Sequence, residues 1–303
     1  MKGALVVGID AGGTKTRAFA VDRAGEVVGR GAGGGANLLS SSDPQGSIGA
    51  ALNEALGGRS ADAIVLSAAG ADRKADRERG RDLLARVSPA GAKLLVTHDA
   101  IAALYAGNPM GCGIVLIAGT GSIAYGRNEE GEEDRAGGWG YLVGDEGSAV
   151  WCGLEALRAV AHAADGRGAP TRLTELLYQE LGVGEFADVL PHLYGKPHPA
   201  PAIAAATRAL AVASSDGDAA ANSILQRGAV ALARATTVVA LTLGLPGGPV
   251  YLSGGAFESL PLLQQLVRLE LLGVLPQASV EPVREEPAMG AARMAMELAW
   301  SKR

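Results

Sequence analysis

The apolar positions along this chain alternate between two textures. Short apolar runs closed by glycine or charge predict buried strands, and longer stretches with helical spacing separate them. Ala4–Ile9 is the first run, ended by Asp10 and a glycine pair, the pattern of a strand opening into a tight turn. Arg17–Asp22 and Glu26–Gly31 predict two more strands, joined by a turn at Arg23-Ala24-Gly25. Gln45–Leu56 has helical spacing, Ala63–Ser67 reads as a strand, and Asp76–Val87 as a charged amphipathic helix. Lys93–Thr97 is a further strand and Asp99–Ala106 a further helix. Strands alternating with helices argue a largely parallel sheet, with an antiparallel hairpin at its start.

The pattern then repeats. Gly13-Thr14, Ala18, Gly25 and Glu26 recur as Gly119-Thr120, Ala124, Gly131 and Glu132, always offset by 106 residues, and Phe19 meets Tyr125 at the same offset. A duplicated three-strand unit implies two similar lobes with a cleft between them. The expected division is residues 1–107 and 108–303. Helices are expected from about Ser148 to Ala164, near Thr171–Leu181 and Ala202–Ser214, and over Ala219–Leu243. Val250–Ser253 reads as a strand leading into Gly254-Gly255. Pro287–Trp300 is a closing helix, its Pro and Glu suiting a first turn, and it is free to pack back on the first domain.

Composition narrows the classes. The chain has 303 residues, of which 48% are hydrophobic and 19% charged, so disorder is not its main state. A net charge of −5 offers no basic excess to displace counterions, which argues against nucleic acid as partner. No 18-residue uncharged apolar run occurs, arguing against a membrane partner. Cys112 and Cys152 cannot build a disulfide framework, and the N-terminal run reads as a buried strand rather than a leader, so a reducing, cytoplasmic home is expected. Glycine is the outlier, with 44 residues, about twice the usual ~7%. Without a three-residue period, the excess belongs in turns and in backbone held close to something.

Candidate chemistry sits in those glycine turns. Asp10-Ala-Gly12-Gly13-Thr14-Lys15-Thr16 follows the first strand. Its glycines allow backbone N–H groups to approach a phosphate, and Thr14 adds a hydroxyl donor. Lys15 could add charge or point to solvent, and Asp10 is placed to hold Mg²⁺ through water. The segment fits neither a Walker loop nor a dinucleotide fingerprint, and a plain hairpin turn remains open. Ala118-Gly119-Thr120-Gly121-Ser122 stands at the equivalent place in the repeat, and Ser253-Gly254-Gly255-Ala256 is a third loop after a strand. Asp99 stands between a strand and a helix, as an N-cap, a general base, or both. Gly137-Gly138-Trp139-Gly140-Tyr-Leu-Val-Gly-Asp145-Glu-Gly-Ser148 is the densest segment; Asp145 could cap the next helix or accept hydrogen bonds from sugar hydroxyls. Asn37 lies in a glycine-rich loop and could be a simple turn residue. The four histidines show no ligand spacing, and Trp151 reads as core.

The set GIDAGGTKT, GANL, THDA, IAGTGS, GGWGYLVGDEGS, LSGGAF and PAMGAA, in this order, resembles the N-acetylglucosamine and glucosamine kinases within the BadF/BadG/BcrA/BcrD ATPase family, of the actin-like, hexokinase and Hsp70 superfamily. The resemblance implies an α/β fold of two ribonuclease H-like domains with a duplicated βββαβα unit and an interdomain cleft. It implies ATP and Mg²⁺ as cofactors, with Asp10, Gly12, Gly13, Thr14, Lys15, Thr120, Gly121, Gly254 and Gly255 at the nucleotide. It implies Asn37, Ser122, Gly138, Trp139 (through its backbone) and Asp145 at the sugar, Asp99 as base, and a homodimer as a common state. No CxCGxxGC segment follows the second loop, unlike the ROK-type glucokinases. Ile123 stands where eukaryotic relatives have a polar residue, which leaves glucosamine, N-acetylmuramic acid or glucose as alternative acceptors. Two rivals share the fold: an activator of a CoA-ester reductase or dehydratase, whose iron–sulfur cluster needs two cysteines per subunit, and a sugar-sensing binder, expected to lack the base.

Overall fold

A computed structural model describes residues 4–195 and 198–301. Contacts divide the chain into two compact units, one running to Cys112 and taking back the chain from Val283, the other Gly113–Pro282. The turn after the helix Asp99–Gly107 stays with the first unit, where the Asn108 amide donates to the Cys112 carbonyl (2.8 Å).

The first unit holds β1 (Leu5–Ala11), β2 (Lys15–Asp22), β3 (Val27–Gly34), α1 (Pro44–Leu56), β4 (Ala63–Ala68), α2 (Lys74–Val87), β5 (Lys93–His98), α3 (Asp99–Gly107) and, at the chain's end, α12 (Pro287–Trp300). Its sheet order is β3-β2-β1-β4-β5. β1–β2 and β2–β3 are antiparallel, and β1–β4 and β4–β5 are parallel. Alternate residues serve opposite faces of the strands. Val7, Ile9, Ala18, Ala20, Ile64 and Leu66 face one core, and Val6, Phe19, Val21 and Val65 face another that α12 completes. Much of the glycine excess lies here. Gly29, Gly31 and Gly33 stand on one face of β3, where a Cβ would fall 2.1, 1.9 and 2.1 Å from the carbonyl oxygens of Ala55, Ala51 and Ser47 on α1. Only glycine admits a helix backbone that close.

The second unit repeats the plan with β6 (Gly113–Ala118), β7 (Ser122–Arg127), β8 (Glu133–Gly137), β9 (Pro249–Ser253) and β10 (Ser279–Pro282) in the order β10-β9-β6-β7-β8. The duplication extends to atoms. The Asp22 amide donates to the Glu26 carbonyl at 3.0 Å, and the Asn128 amide donates to the Glu132 carbonyl at 3.0 Å. Asp22 Oδ1 accepts the Glu26 N–H, and Asn128 Oδ1 accepts the Glu132 N–H. Asp22 and Asn128 are themselves 106 apart.

The remaining helices are α4 (Ala149–Ala164), α5 (Leu173–Leu181), α6 (Val189–Tyr194), α7 (Ala200–Ala205), α8 (Thr207–Ser215), α9 (Ala219–Thr242), α10 (Gly255–Ser259) and α11 (Pro261–Val274). The single helix expected over Ala202–Ser214 is two, broken at Ala206. The Thr207 hydroxyl donates back to the Ala204 carbonyl (2.7 Å), a local bond that competes with the helical ladder. Trp151, expected in the core, is only half-buried, with Arg227 over its ring. Among the described residues one helix, α9, is long and apolar enough to cross a membrane. It carries Arg227 and Arg234 and lays Ile224, Leu225, Leu232 and Val239 into the second unit's core.

Candidate active site

In the first unit, β1, β4 and β5 run parallel, so their carboxyl ends open at one edge, the place where α/β sheets present ligands. Register sets Asp10, Ser67 and Thr97 in one row across that edge. The Gly12 N–H donates to the Lys15 carbonyl (2.9 Å), and the Ala36 N–H donates to the Gly12 carbonyl (2.9 Å). A Cβ on Gly35 would fall 2.2 Å from the Gly13 carbonyl oxygen, so the second glycine loop braces the first. Thr14 and Lys15 are exposed, and no atom lies within 4 Å of where a Gly13 Cβ would be. The loop face is open.

Asn37 is both a turn residue and a candidate donor. Its Oδ1 accepts the N–H groups of Leu39 (2.9 Å) and Ser40 (3.2 Å), which leaves the nitrogen as the donor end of the side-chain amide. The loop is tied to the sheet edge, with Leu38 N–H donating to the Ala69 carbonyl and Ala69 N–H to the Ala11 carbonyl. Gly70 takes φ +81°, and a Cβ there would sit 2.9 Å from Asn37 Oδ1.

Asp99 is the first residue of α3, and His98 occupies the N-cap position; the N-cap expected at Asp99 is displaced by one. Its carboxylate still accepts the N–H groups of Asp99 and Ala100. Burial, with Asp72 nearby, pushes the Asp99 carboxyl up to about 6 against the pull of those two donors. Burial and then Asp99 push Asp10 up to about 7, with Lys15 drawing it down and Glu286 adding to the rise. Asp99 thus adds to the rise at Asp10, and both carboxyls titrate above the ordinary carboxylate range.

In the second unit, the GTGS loop and the GGWGYLVGDEGS segment interlock. The Gly138 N–H donates to the Ser122 carbonyl (2.9 Å), and the Ala149 N–H donates to the Gly119 carbonyl (2.8 Å). The buried Ser122 hydroxyl donates to the Glu146 carbonyl (2.8 Å). Asp145 has φ +59°, the one positive φ outside glycine among the described residues, a strained state that functional sites retain. Its carboxylate accepts the Gly140 N–H (3.1 Å) and the Ser122 N–H, while burial pushes its pKa up. Asp145 does not cap α4. Ser148 does, its hydroxyl accepting the Trp151 N–H (3.1 Å). Thr120 is exposed on its loop, and Trp139 is 68% exposed with Arg135 5.2 Å from its ring centre.

Gly254, at φ +108°, meets the same loop: a Cβ there would fall 2.4 Å from the Ala118 carbonyl oxygen. Gly255 begins α10, and neither it nor Gly119 has an atom within 4 Å of a would-be Cβ. Thus Asp10, Gly12–Lys15, Asn37 and Asp99 share the first unit, and Thr120–Ser122, Gly138, Trp139, Asp145, Gly254 and Gly255 share the second. Sequence reasoning missed Ser67, Asp72 and the Ala69–Gly70 turn. A buried serine inside an apolar run looks like core, and only the run's position before a glycine turn signalled otherwise.

Residues 7–295 match the BadF/BadG/BcrA/BcrD ATPase family. The chain belongs to this family. As a member of the BadF/BadG/BcrA/BcrD ATPase family it uses ATP. It is 32% identical to the N-acetylmuramic acid/N-acetylglucosamine kinase of Clostridium acetobutylicum, over 94% of this chain and 96% of that one. It is 30% identical to the N-acetyl-D-glucosamine kinase of Dictyostelium discoideum, over 96% of this chain and 98% of that one. Among solved structures it shares its fold with a protein of Chromobacterium violaceum provisionally assigned as an N-acetylglucosamine kinase (TM-score 0.74, 23% identity, 96% of this chain and 99% of that one). It also shares its fold with a ROK family glucokinase of Streptomyces griseus solved with glucose and AMPPNP (TM-score 0.59, 18% identity, 97% and 100%).

Proposed function

We propose that this protein is an ATP-dependent kinase of an amino sugar, N-acetylglucosamine or glucosamine, acting at the 6-hydroxyl in the cytoplasm. The observation that carries the reading is Asp99 at the open edge of a parallel sheet, a half-buried carboxylate whose pKa of about 6 suits it to take a proton near neutrality. Asn37 in the first unit, and Ser122, Gly138, Trp139 and Asp145 in the second, would hold the sugar. Thr14 and Thr120 would donate their hydroxyls to the nucleotide's phosphates, with Gly254 and Gly255 lying against its base.

ATP, when bound, supplies the phosphoryl group. Asp99 takes the proton of the attacking hydroxyl, and the two threonine loops stabilise charge on the phosphate oxygens. Among the described residues no group of three or more His, Cys, Asp or Glu could hold a metal. Mg²⁺ would be held by Asp10 through water, with phosphate oxygens as its other partners. Burial first, and then the neighbouring acids Asp99 and Glu286, raise the proton affinity of Asp10.

The activator reading finds no support in the cysteines. Cys152 is buried inside α4, away from the surface at which a cluster shared between two subunits would be held. The test is a coupled ADP-release screen over N-acetylglucosamine, glucosamine, N-acetylmuramic acid, N-acetylmannosamine and glucose. Release that depends on an amino sugar is expected. Release indifferent to every sugar would sink the reading.

A further inference from the structure

We propose that Ser67 is a positioning residue for the Asp99 carboxylate, a role that rests on the kinase reading above. Ser67 is fully buried in β4, whose other residues are all apolar: Ala63, Ile64, Val65, Leu66 and Ala68. A hydroxyl in such a strand costs free energy unless it is bonded, and the ladders to β1 and β5 are closed by backbone alone. Neither strand pairing nor burial calls for this oxygen.

The hydroxyl is used at one place. Ser67 Oγ donates to the His98 carbonyl oxygen at 3.1 Å. That carbonyl belongs to the peptide linking His98 to Asp99, where β5 ends and α3 begins. Ala68–His98 is the last pair of the β4–β5 register, so beyond it no ladder fixes the peptide that carries Asp99. A side-chain bond across the strands holds that peptide plane, and the plane sets the direction of the Asp99 Cα–Cβ bond. Ser67 also faces Asp10 across the β1–β4 register, so one buried residue stands between the strand that carries Asp10 and the strand that leads into Asp99. Misplacing a catalytic group by about 1 Å can cost on the order of 10²-fold in rate. Loss of one of several restraints on Asp99 should cost less, about tenfold.

The test is a double-mutant cycle joined to amide hydrogen exchange. Ser67→Ala should lower kcat about tenfold with the KM for ATP unchanged, and should speed exchange at the first-turn amides of α3 while leaving the second unit untouched. In an Asp99→Asn background Ser67→Ala should lower turnover no further, because a residue acting through the base has nothing left to orient. Ser67→Thr, which keeps the hydroxyl but crowds the site, should retain more turnover than Ser67→Ala. Equal tenfold losses in both backgrounds, or Ser67→Ala within twofold of wild type, would overturn the proposal. Faster exchange in Ser67→Ala, with no sugar phosphorylated by wild type, would instead bring down the kinase reading and with it the role of Ser67 in catalysis.

Discussion

Replacing Asp99 with Asn should raise stability while it destroys turnover. The folded chain holds the Asp99 proton with a pKa of about 6, against the ordinary 3.8. A rise of about two units corresponds to roughly 3 kcal/mol at ~1.4 kcal/mol per unit. Because the folded pKa is the higher one, ionised Asp99 costs stability above pH ~6 and nothing below pH ~4. The site is half-buried, and an amide accepts the Asp99 and Ala100 N–H groups less strongly than a carboxylate. About half the ceiling, ~1–2 kcal/mol, should therefore survive. At ~2–4 °C per kcal/mol, Asp99→Asn should melt about 2–8 °C higher than wild type at pH 8, and the two curves should converge as pH falls to 4. Turnover should drop ~10²–10⁴-fold, the usual contribution of a positioned base, with ATP binding kept. Differential scanning calorimetry across pH, with steady-state kinetics at pH 8, checks both halves. A variant that melts lower at pH 8, or that keeps more than a tenth of the wild-type rate, would refute the reasoning about Asp99.

Thr14→Val and Thr120→Val should each weaken ATP binding about 10- to 100-fold by calorimetry, since a hydroxyl bond to a charged oxygen contributes ~1.5–3 kcal/mol. In Gly121→Ala the new Cβ would sit 2.5 Å from Asp145 Oδ2 and push that carboxylate off its N–H donors. The sugar KM should rise at least ~10-fold, beside any loss of ATP affinity that the added methyl causes in this loop. Gly290→Ala drives a methyl to 1.9 Å from the Ala102 carbonyl oxygen, with the Ala106 N at 2.7 Å. Backbone meets backbone there, so α12 must move off α3; a loss of about 3 kcal/mol or more should show as a lower first-unit melting temperature.

The duplicated plan was legible because it rests on glycines and turn residues that the backbone geometry demands. Gly25 and Gly131, at φ +87° and +83°, close the same turn in both units and cannot drift without cost. The loops were legible for the same reason, since strand-then-glycine marks where backbone turns sharply. Local competition between bonds was not. Nothing in the DEGS segment says that Ser148, rather than Asp145, caps α4, or that Asp145 turns left-handed to reach the Gly140 N–H. The edge strand β10 offers one buried residue, Val280, too little for a period to show, and it was not anticipated; nor was α11. Ser67 stayed hidden because its partner, the His98 carbonyl, is brought near only by strand pairing across 31 positions.

The central claim is transfer of a phosphoryl group from ATP to a hydroxyl of an amino sugar. Phosphorus NMR of a reaction containing the protein, ATP, Mg²⁺ and N-acetylglucosamine or glucosamine tests it most directly. One sugar 6-phosphate should appear for each ADP formed, with no matching inorganic phosphate. ADP accompanied by inorganic phosphate alone, with the sugar unchanged, would contradict it.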